Sequence, residues 1–426
     1  MRMLLKNAKR LLPDNTTENC EVLIEDDRII SIGGALHSQV DQVIDCDNQL
    51  LLPGFIDVHI HLREPGGEHK ESIETGTKAA ARGGFTTVCA MPNTNPVPDN
   101  VEQIRSLQKK IKEKACVRVL PYAAITEGLQ GEKLTKIRAV AEEGAFAFTD
   151  DGIGIQTADV MLRAMKEAAA CGKAIVAHCE DNSIVYGGVV HDGLVSERLE
   201  LPGIPQLSES VQIARDVLLA EATGCHYHVC HVSSKESVRV IRDAKKAGIH
   251  VTAEVTPHHL LLNETAIITK DTNFKMNPPL RSKADQQALL EGLLDGTIDF
   301  IATDHAPHAT DEKAKGMLDS PFGIVGLETA FPLLYTYLVK TKQVTLQQLV
   351  EWLTIKPALV FNLPYGKLEE GAVADMTVVD IEEVSLIDRA QFFSKGKNTP
   401  FHGWKVQGQP TLTIVEGNIV FKASTR

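Results

Sequence analysis

The sequence predicts an α/β protein: a (β/α)8 (TIM) barrel with a small β-sandwich domain that both chain ends form together. Three observations lead to this prediction. Apolar, strand-like runs recur between residues 55 and 307, segments with helical spacing separate them, and both chain ends contain short strand-like runs with tight turns. Parallel strands buried on both faces need covering helices, and a closed barrel provides them.

Eight apolar runs supply the predicted barrel strands. They are FIDVHIHL (55–62), TTVCAMP (86–92), VRVLPYAA (117–124), AFAFTD (145–150), AIVAHCE (174–180), YHVCHVS (227–233), VTAEVTP (251–257) and FIATDHAP (300–307). Intervening segments such as VEQIRSLQKKIKEKA place apolar residues at helical spacing. An open, doubly wound sheet is the alternative fold, but no GxGxxG follows the first run to support it.

The chain ends are predicted to share one small domain. Neither end has enough strands to bury a sheet face alone, so we expect them to pair beside the barrel. The predicted divisions are 1–52 for the N-terminal part of the sandwich, 53–362 for the barrel, and 363–426 for the C-terminal part.

Composition indicates a soluble, cytoplasmic protein. The chain has 44 Lys and Arg against 56 Asp and Glu, a formal net charge of −12 without long charge blocks, which argues against nucleic-acid or membrane-surface binding. No apolar run reaches the about 18 residues of a membrane span, and the N-terminus lacks a signal-peptide core. The eight cysteines form no CxxC pair and lie mostly in apolar runs, as expected in a reducing compartment.

Histidines and a carboxylate stand at the ends of several predicted strands. His59 and His61 share a strand face because alternate residues point the same way. His178, His231 and Asp304 lie near the ends of the fifth, sixth and eighth runs. An isolated HxH pair is more typical of buried structural histidines, but strand ends of a barrel converge on one face. Imidazole and carboxylate ligands suit zinc and related ions, so the sequence predicts a metal centre there.

The fourth run ends in two aspartates. We assign both phenylalanines of FAFTDDG to the helix-facing side, which leaves Asp151 aimed at the barrel mouth. There it could bridge two metal ions about 3.5–4 Å apart. Asp150 is expected to cap a helix or lie in a turn.

Other polar residues of these strands are assigned to packing or support. Cys179 and Cys230 each adjoin a proposed ligand, so strand alternation turns them away from it. His228 has the wrong parity to join the ligands. His258 and His259 follow the seventh run and are expected in loop or supporting roles.

Four segments, DVHIHLREPG (57–66), MPNTNP (91–96), TDHAPH (303–308) and PFG (321–323), resemble bacterial dihydroorotases of the long, type I class. That class belongs to the amidohydrolase superfamily, and the resemblance covers essentially the whole chain. It implies reversible cyclisation of N-carbamoyl-L-aspartate to L-dihydroorotate plus water, a step of pyrimidine (UMP) biosynthesis.

The resemblance also implies a zinc site. Its six ligands would be His59, His61, Asp151, His178, His231 and Asp304. It implies a zinc-activated hydroxide and Asp304 as general acid/base. Related amidohydrolases bridge two metals with a carbamylated lysine, whereas FAFTDDG offers an aspartate, so one or two zinc ions per chain are both open.

Substrate contacts are predicted at the same face. Arg63 continues the alternation of His59 and His61 and offers a planar cation to a substrate carboxylate. The resemblance implies a substrate-binding set of His61, Arg63, Asn93, Asn277, His308, Phe322 and Gly323. The polar segment 308–323 is long for a loop in a compact domain, and we expect it to act as a lid.

Two alternative functions stay open. One is a dihydropyrimidinase, hydantoinase or allantoinase, whose substrates lack a carboxylate for Arg63 to bind. The other is an inactive scaffold for aspartate transcarbamoylase, which missing metal ligands would indicate, although all six positions are filled here. The partners that the resemblance suggests are a second copy, as a homodimer, and aspartate transcarbamoylase.

Overall fold

The computed structural model describes residues 1–36 and 38–424, so the last two residues of the predicted 363–426 segment lie outside the described residues. The described chain is mixed α/β, as predicted. None of the described helices combines the length and apolar character needed to cross a membrane.

The N-terminal residues form five strands: β1 (Arg2–Leu11), β2 (Thr17–Glu25), β3 (Arg28–Gly33), β4 (Gln42–Asp45) and β5 (Leu50–Pro53). β1 pairs antiparallel with β2 and parallel with β4 and β5. The pairing with β2 is irregular between Leu5 and Ala8, where Asn7 adopts a φ of 53°. Asparagine tolerates this left-handed conformation. The two halves of β1 therefore pair with two different parallel strands, β4 and β5.

Strands and helices alternate through the middle of the chain. They are β6 (Phe55–Ile60), α1 (Ile73–Arg82), β7 (Phe85–Ala90), α2 (Val101–Lys114), β8 (Arg118–Pro121), α3 (Ile137–Glu142), α4 (Ala158–Ala170), β9 (Ile175–Ala177), β10 (Val190–His191), α5 (Leu194–Leu199), β11 (Gly203–Ile204), α6 (Leu207–Thr223), β12 (Tyr227–Val229), α7 (Lys235–Lys246), β13 (Val251–Val255), α8 (Pro257–Leu261), α9 (Lys283–Leu294) and β14 (Phe300–Ile301). Short 3-10 helices cover Glu127–Leu129, Asn182–Ile184, Glu264–Ala266 and Thr272–Phe274.

The C-terminal third begins with helices and ends with strands. They are α10 (Thr310–Lys313), α11 (Gly316–Asp319), α12 (Ala330–Leu334), α13 (Leu346–Leu353), α14 (Ile355–Val360), β15 (Met376–Asp380), β16 (Ser385–Leu386), β17 (Lys405–Val406), β18 (Gln409–Val415) and β19 (Asn418–Lys422), with a π-helical turn at Tyr335–Val339 and a 3-10 helix at Arg389–Gln391. α10 and α11 lie within the polar segment 308–323.

The parallel strands of the predicted runs form two sheets, β6-β7-β8 and β9-β12-β13-β14, and β10 pairs with β11 in a separate short parallel sheet. The predicted fourth run lies between them. It is not a regular strand, because only Phe148 makes parallel bridges, to Ala123 after β8 and to Ile175 in β9. At the other border, Ile60 at the end of β6 bridges His305, which follows β14. All eight predicted runs are thus parallel neighbours in chain order.

Both chain ends contribute to one eight-stranded mixed sheet, in the order β19-β18-β15-β5-β1-β2-β3, with β4 on β1. β15 joins the two ends because it pairs antiparallel with β5 and with β18. β16 and β17 pair with each other in a separate two-stranded sheet, and the segment between them reaches α1 and the chain after β14. Its Ser394 side chain contacts Glu71 near α1, and Asn398 Nδ2 donates to Ala306 O after β14.

Candidate metal centre

The carboxylate of Asp151 lies among four imidazoles, and all five side chains are buried. His59 Nε2 is 3.4 Å from Asp151 Oδ1, and His61 Nε2 is 3.6 Å from Asp151 Oδ2. His178 Nδ1 and His231 Nε2 are 4.0 Å and 3.8 Å from Asp151 Oδ1. The structure therefore brings together residues from the first, fourth, fifth and sixth predicted runs.

Asp304 completes the cluster beside the first histidine pair. Its Oδ1 lies 3.1 Å from His61 Nε2 and 3.5 Å from His59 Nε2. His178 Nδ1 lies 3.0 Å from His231 Nε2, and both rings approach Asp151 Oδ1. Asp151 is thus shared by two groups of ligand atoms.

The spacing of these atoms fits a bound cation. Ligand atoms about 2.0–2.2 Å from one tetrahedral ion are themselves roughly 3.3–3.6 Å apart. The distances around His59, His61, Asp151 and Asp304 fall in or near this range, from 3.1 to 3.6 Å. His59 Nε2 and Asp151 Oδ1 are also buried without a hydrogen-bond partner. The group containing His178 and His231 is spaced less evenly.

The charges of the cluster agree with this fit. Burial acts to raise the pKa of the Asp151 and Asp304 carboxyls, but the nearby imidazoles, His59 first, outweigh it and hold each pKa below its usual range. Burial lowers the pKa of His61 and of His178. These four groups therefore favour the protonation states in which they bind cations.

His59 differs from its neighbours. Burial acts to lower the pKa of His59, but Cys230 and the Glu254 and Asp304 carboxylates outweigh it and raise the pKa well above its usual value. The groups around His59 thus favour a positive charge at this position. A divalent cation would supply that charge in place of the proton.

Glu254 in β13 is a site residue that the sequence reasoning missed. Its Oε1 lies 2.6 Å from His59 Nδ1, so Nε2 of the same ring faces Asp151. Carboxylates commonly orient metal-binding histidines in this way. Oε1 also accepts from the His231 backbone N–H, at 3.3 Å. The available signal was a lone charge inside the apolar run VTAEVTP, since a buried charge needs a partner.

His228, predicted to lie outside the ligand set, is the second histidine whose ring contacts Glu254. Its Nε2 lies 3.2 Å from Glu254 Oε2, and its ring stacks on Phe300. Asp150 supports a neighbouring loop: its carboxylate accepts hydrogen bonds from the backbone N–H groups of Ile125 and Thr126. Neither side chain belongs to the ligand groups around Asp151.

Cys230 packs in a buried hydrophobic cluster, as predicted, but it lies closer to the ligands than strand alternation predicts. Its Sγ lies within 4.8 Å of a ring nitrogen of His59 and a carboxylate oxygen of Glu254. Strand alternation fails here because β12 ends at Val229 and His231 adopts a φ of 31°. Cys179, by contrast, contacts the Tyr227 hydroxyl at 3.0 Å.

Contrary to the prediction from the sequence, the direction of the Arg63 side chain is not set by strand alternation. β6 ends at Ile60 and Arg63 has a φ of 59°, so strand alternation does not set its direction. Its Nε donates to Pro307 O at 3.3 Å, and its Nη2 lies 3.3 Å from His308 Nε2. His308 Nε2 donates to Phe322 O at 2.8 Å. The structure thus groups Arg63, His308 and Phe322.

In each of the two predicted asparagines, the side-chain nitrogen donates a hydrogen bond to another residue of the chain. Asn93 Nδ2 donates to Asp151 O at 2.8 Å, and Asn277 Nδ2 donates to Glu180 Oε2 at 2.9 Å. The Oδ1 atom of each is buried without a hydrogen-bond partner, and so is His308 Nδ1, although Glu312 Oε2 lies 3.7 Å from it. Buried polar atoms without partners are uncommon in proteins and suggest a ligand here.

A buried lysine within segment 308–323 ties the segment together and to Lys275. Lys313 Nζ donates to Lys275 O at 3.3 Å, to Pro321 O at 3.0 Å and to Gly323 O at 3.4 Å. Gly323 has a φ of 151°, and a Cβ there would come within 2.6 Å of Ala306 O. The backbone of Phe322 and Gly323 thus packs closely against the chain that follows β14.

Comparison with known proteins gives consistent relatives. A family model described as Dihydro-orotase-like matches residues 48–237. Curated proteins named Dihydroorotase from Listeria monocytogenes serotype 4b and Staphylococcus epidermidis are 63% and 62% identical, over 98% of this chain and 98% and 99% of theirs. Among solved structures, an L-hydantoinase (dihydropyrimidinase) from Arthrobacter aurescens has a TM-score of 0.89 at 27% identity, covering 99% of this chain and 96% of its own. A D-hydantoinase from a Thermus species has a TM-score of 0.84 at 26% identity, with 99% and 95% covered.

The contact between Glu254 and His59 gives a prediction about metal affinity. Glu254→Gln should weaken metal binding about 10- to 100-fold while the fold is kept, because the amide no longer fixes the His59 ring as an anion does. Chelator competition with circular dichroism on the same samples would measure both. Glu221→Gln, on the exposed face of α6, is the matched control. Unchanged affinity in Glu254→Gln would contradict the orienting role.

Proposed function

The chain belongs to the dihydroorotase family, whose members interconvert N-carbamoyl-L-aspartate and L-dihydroorotate, and we propose that the cluster around Asp151 is where it performs this reaction. The activity is hydrolysis of a cyclic amide and its reversal, in pyrimidine biosynthesis. The observation that carries the site assignment is the buried carboxylate shared by two groups of imidazole ligands.

Zinc is the proposed metal. His59, His61, Asp151 and Asp304 would hold one ion, and Asp151 with His178 and His231 a second. When bound, zinc polarises a carbonyl oxygen and lowers the pKa of water. The more even spacing of the first group, 3.1 to 3.6 Å against 3.0 to 4.0 Å in the second, supports one firmly held ion and a second held more weakly.

Asp304 is the proposed general acid/base. Its carboxyl is buried, anionic and 3.1 Å from His61 Nε2, at the border of the ligand cluster. It would accept the proton of the attacking water and deliver it to the ring nitrogen as the amide C–N bond breaks. In the cyclisation direction, the same carboxyl would run these transfers in reverse.

Arg63 is the proposed partner of the substrate carboxylate. Its guanidinium contacts Pro307 O and His308, and no ion pair between Arg63 and a carboxylate is formed among the described residues. Burial, then Arg63, lowers the pKa of His308 to about 2, so the neutral ring can serve as a hydrogen-bond partner. Asn93 and Asn277 would use their free Oδ1 atoms on the ring, beside the Phe322–Gly323 backbone.

The proposal extends to the domain organisation, the location and the partners of the chain. We propose that the parallel strands close as a (β/α)8 barrel over 53–362, and that residues 1–52 and 363–426 form the sandwich. The bridges at Phe148 and between Ile60 and His305 support closure. We further propose a cytoplasmic location, a lid role for segment 308–323, and association as a homodimer or with aspartate transcarbamoylase.

Arg63→Met tests the substrate assignment against the hydantoinase and dihydropyrimidinase alternatives. We expect kcat/KM for dihydroorotate to fall about 10- to 100-fold, as for a lost charge-assisted hydrogen bond, with zinc content unchanged. Any turnover of dihydrouracil, which lacks the carboxylate, should be unaffected. Steady-state assays would measure kcat/KM for both substrates in Arg63→Met and in the exposed Arg105→Met, which serves as the control. Full dihydroorotate activity in Arg63→Met would refute the assignment.

Asp304→Asn tests the proton transfer. Turnover should collapse by about 100- to 10,000-fold, since the amide cannot accept or deliver a proton, while circular dichroism stays unchanged. Asn19→Asp on β2, far along the chain from the cluster, serves as a control for an Asn/Asp exchange. Near-normal activity in Asp304→Asn would contradict the acid/base role.

A further inference from the structure

A short C-terminal segment touches the loops that carry the proposed substrate contacts. We define the strap as residues 392–401, which lie between β16 and β17, two strands that pair with each other. The backbone N–H groups of Phe393 and Ser394 donate to Glu328 at 2.9 and 3.1 Å. A Cβ on Gly396 would come within 2.5 Å of Pro307, so the strap lies directly on the chain after β14.

Asn398 makes the most specific contacts of the strap. Its side chain is buried, with the residue 3% exposed. Nδ2 donates to Ala306 O at 2.9 Å and to Gly323 O at 3.0 Å, and Oδ1 accepts from His308 N at 3.0 Å. Its backbone carbonyl accepts from Val325 N at 3.0 Å. One residue therefore binds both ends of segment 308–323.

The chemistry of these contacts requires an amide. Two carbonyls need two N–H donors, and the His308 N–H needs one acceptor; an asparagine side chain supplies both donors and the acceptor. Aspartate would face Ala306 O and Gly323 O with an acceptor and no donor. Alanine would leave the buried His308 N and Ala306 O without a partner and Gly323 O with only the Lys313 ammonium, and each lost hydrogen bond costs free energy.

The groups that Asn398 holds adjoin the proposed substrate contacts. His308 N is fixed by Asn398, and the His308 ring donates to Phe322 O and neighbours Arg63. Gly323 O is fixed beside Phe322. The separation of the two ends of segment 308–323 therefore sets where the His308 ring and the Phe322–Gly323 backbone lie.

We propose that Asn398 is a positioning residue for substrate binding, an inference that rests on the proposed function of His308 and the Phe322–Gly323 backbone. It acts from the C-terminal part of the chain and touches none of the proposed metal ligands. Its loss should weaken substrate binding and leave the rate of the chemical step nearly unchanged.

The test compares Asn398→Asp and Asn398→Ser with wild type in the zinc-loaded protein. We expect KM for dihydroorotate to rise about 10-fold or more, with kcat within a factor of about 3, since misplaced binding groups affect ground state and transition state alike. Serine, which keeps one hydroxyl donor, should show the smaller rise. Zinc content should equal that of wild type. Asn418→Asp, on exposed β19, should change nothing.

Two further measurements separate this inference from the proposed function. Hydrogen exchange over residues 305–325 should quicken in both variants and stay unchanged over 55–62. In Arg63→Met, adding Asn398→Ser should raise KM less than it does alone, because the two residues act at one end of the substrate. If wild type does not turn over dihydroorotate, the proposed function fails, whatever the exchange data show.

Several results would overturn the positioning role itself. These are a fall in kcat at constant KM, loss of zinc, kinetics equal to wild type, or failure of both variants to fold. The last would mark Asn398 as a purely structural residue.

Discussion

A carboxylate buried among four imidazoles places a strong constraint on this protein. Asp151 is almost fully removed from water, and charged groups are kept in such places only with partners. The parallel strands supply those partners because their carboxyl ends lie side by side and carry His59, His178 and His231. The pairings between strands, the orientation of His59 by Glu254, and the proposed chemistry all depend on this arrangement.

Backbone irregularity is concentrated where the chain leaves the strands. Arg63, His231 and Asp304 all have positive φ angles, of 59°, 31° and 46°. Side chains other than glycine adopt such angles at a cost, and surrounding contacts must hold them there. Each of the three follows a strand that ends a few residues earlier, so the turn out of the strand redirects the side chain. These turns place the proposed ligands and the Arg63 cation around one space.

The sequence predicted the family, which the relatives confirm, and the mixed α/β class. It also predicted which residues converge, because strand ends carry that information. It could not predict the direction of Cys230, since alternation stops at Val229, or the pairing of Glu254, which becomes visible only when β13 lies beside β12. Asn398 had no signal at all. Its role arises from contacts with residues about 75 to 92 positions away.

The most direct test of this account is anomalous diffraction from crystals grown with zinc and dihydroorotate. The account predicts a zinc peak between His59, His61, Asp151 and Asp304, a second peak of equal or lower occupancy beside His178 and His231, and the substrate carboxylate on Arg63. Zinc located away from Asp151, or a substrate carboxylate that points away from Arg63, would contradict it.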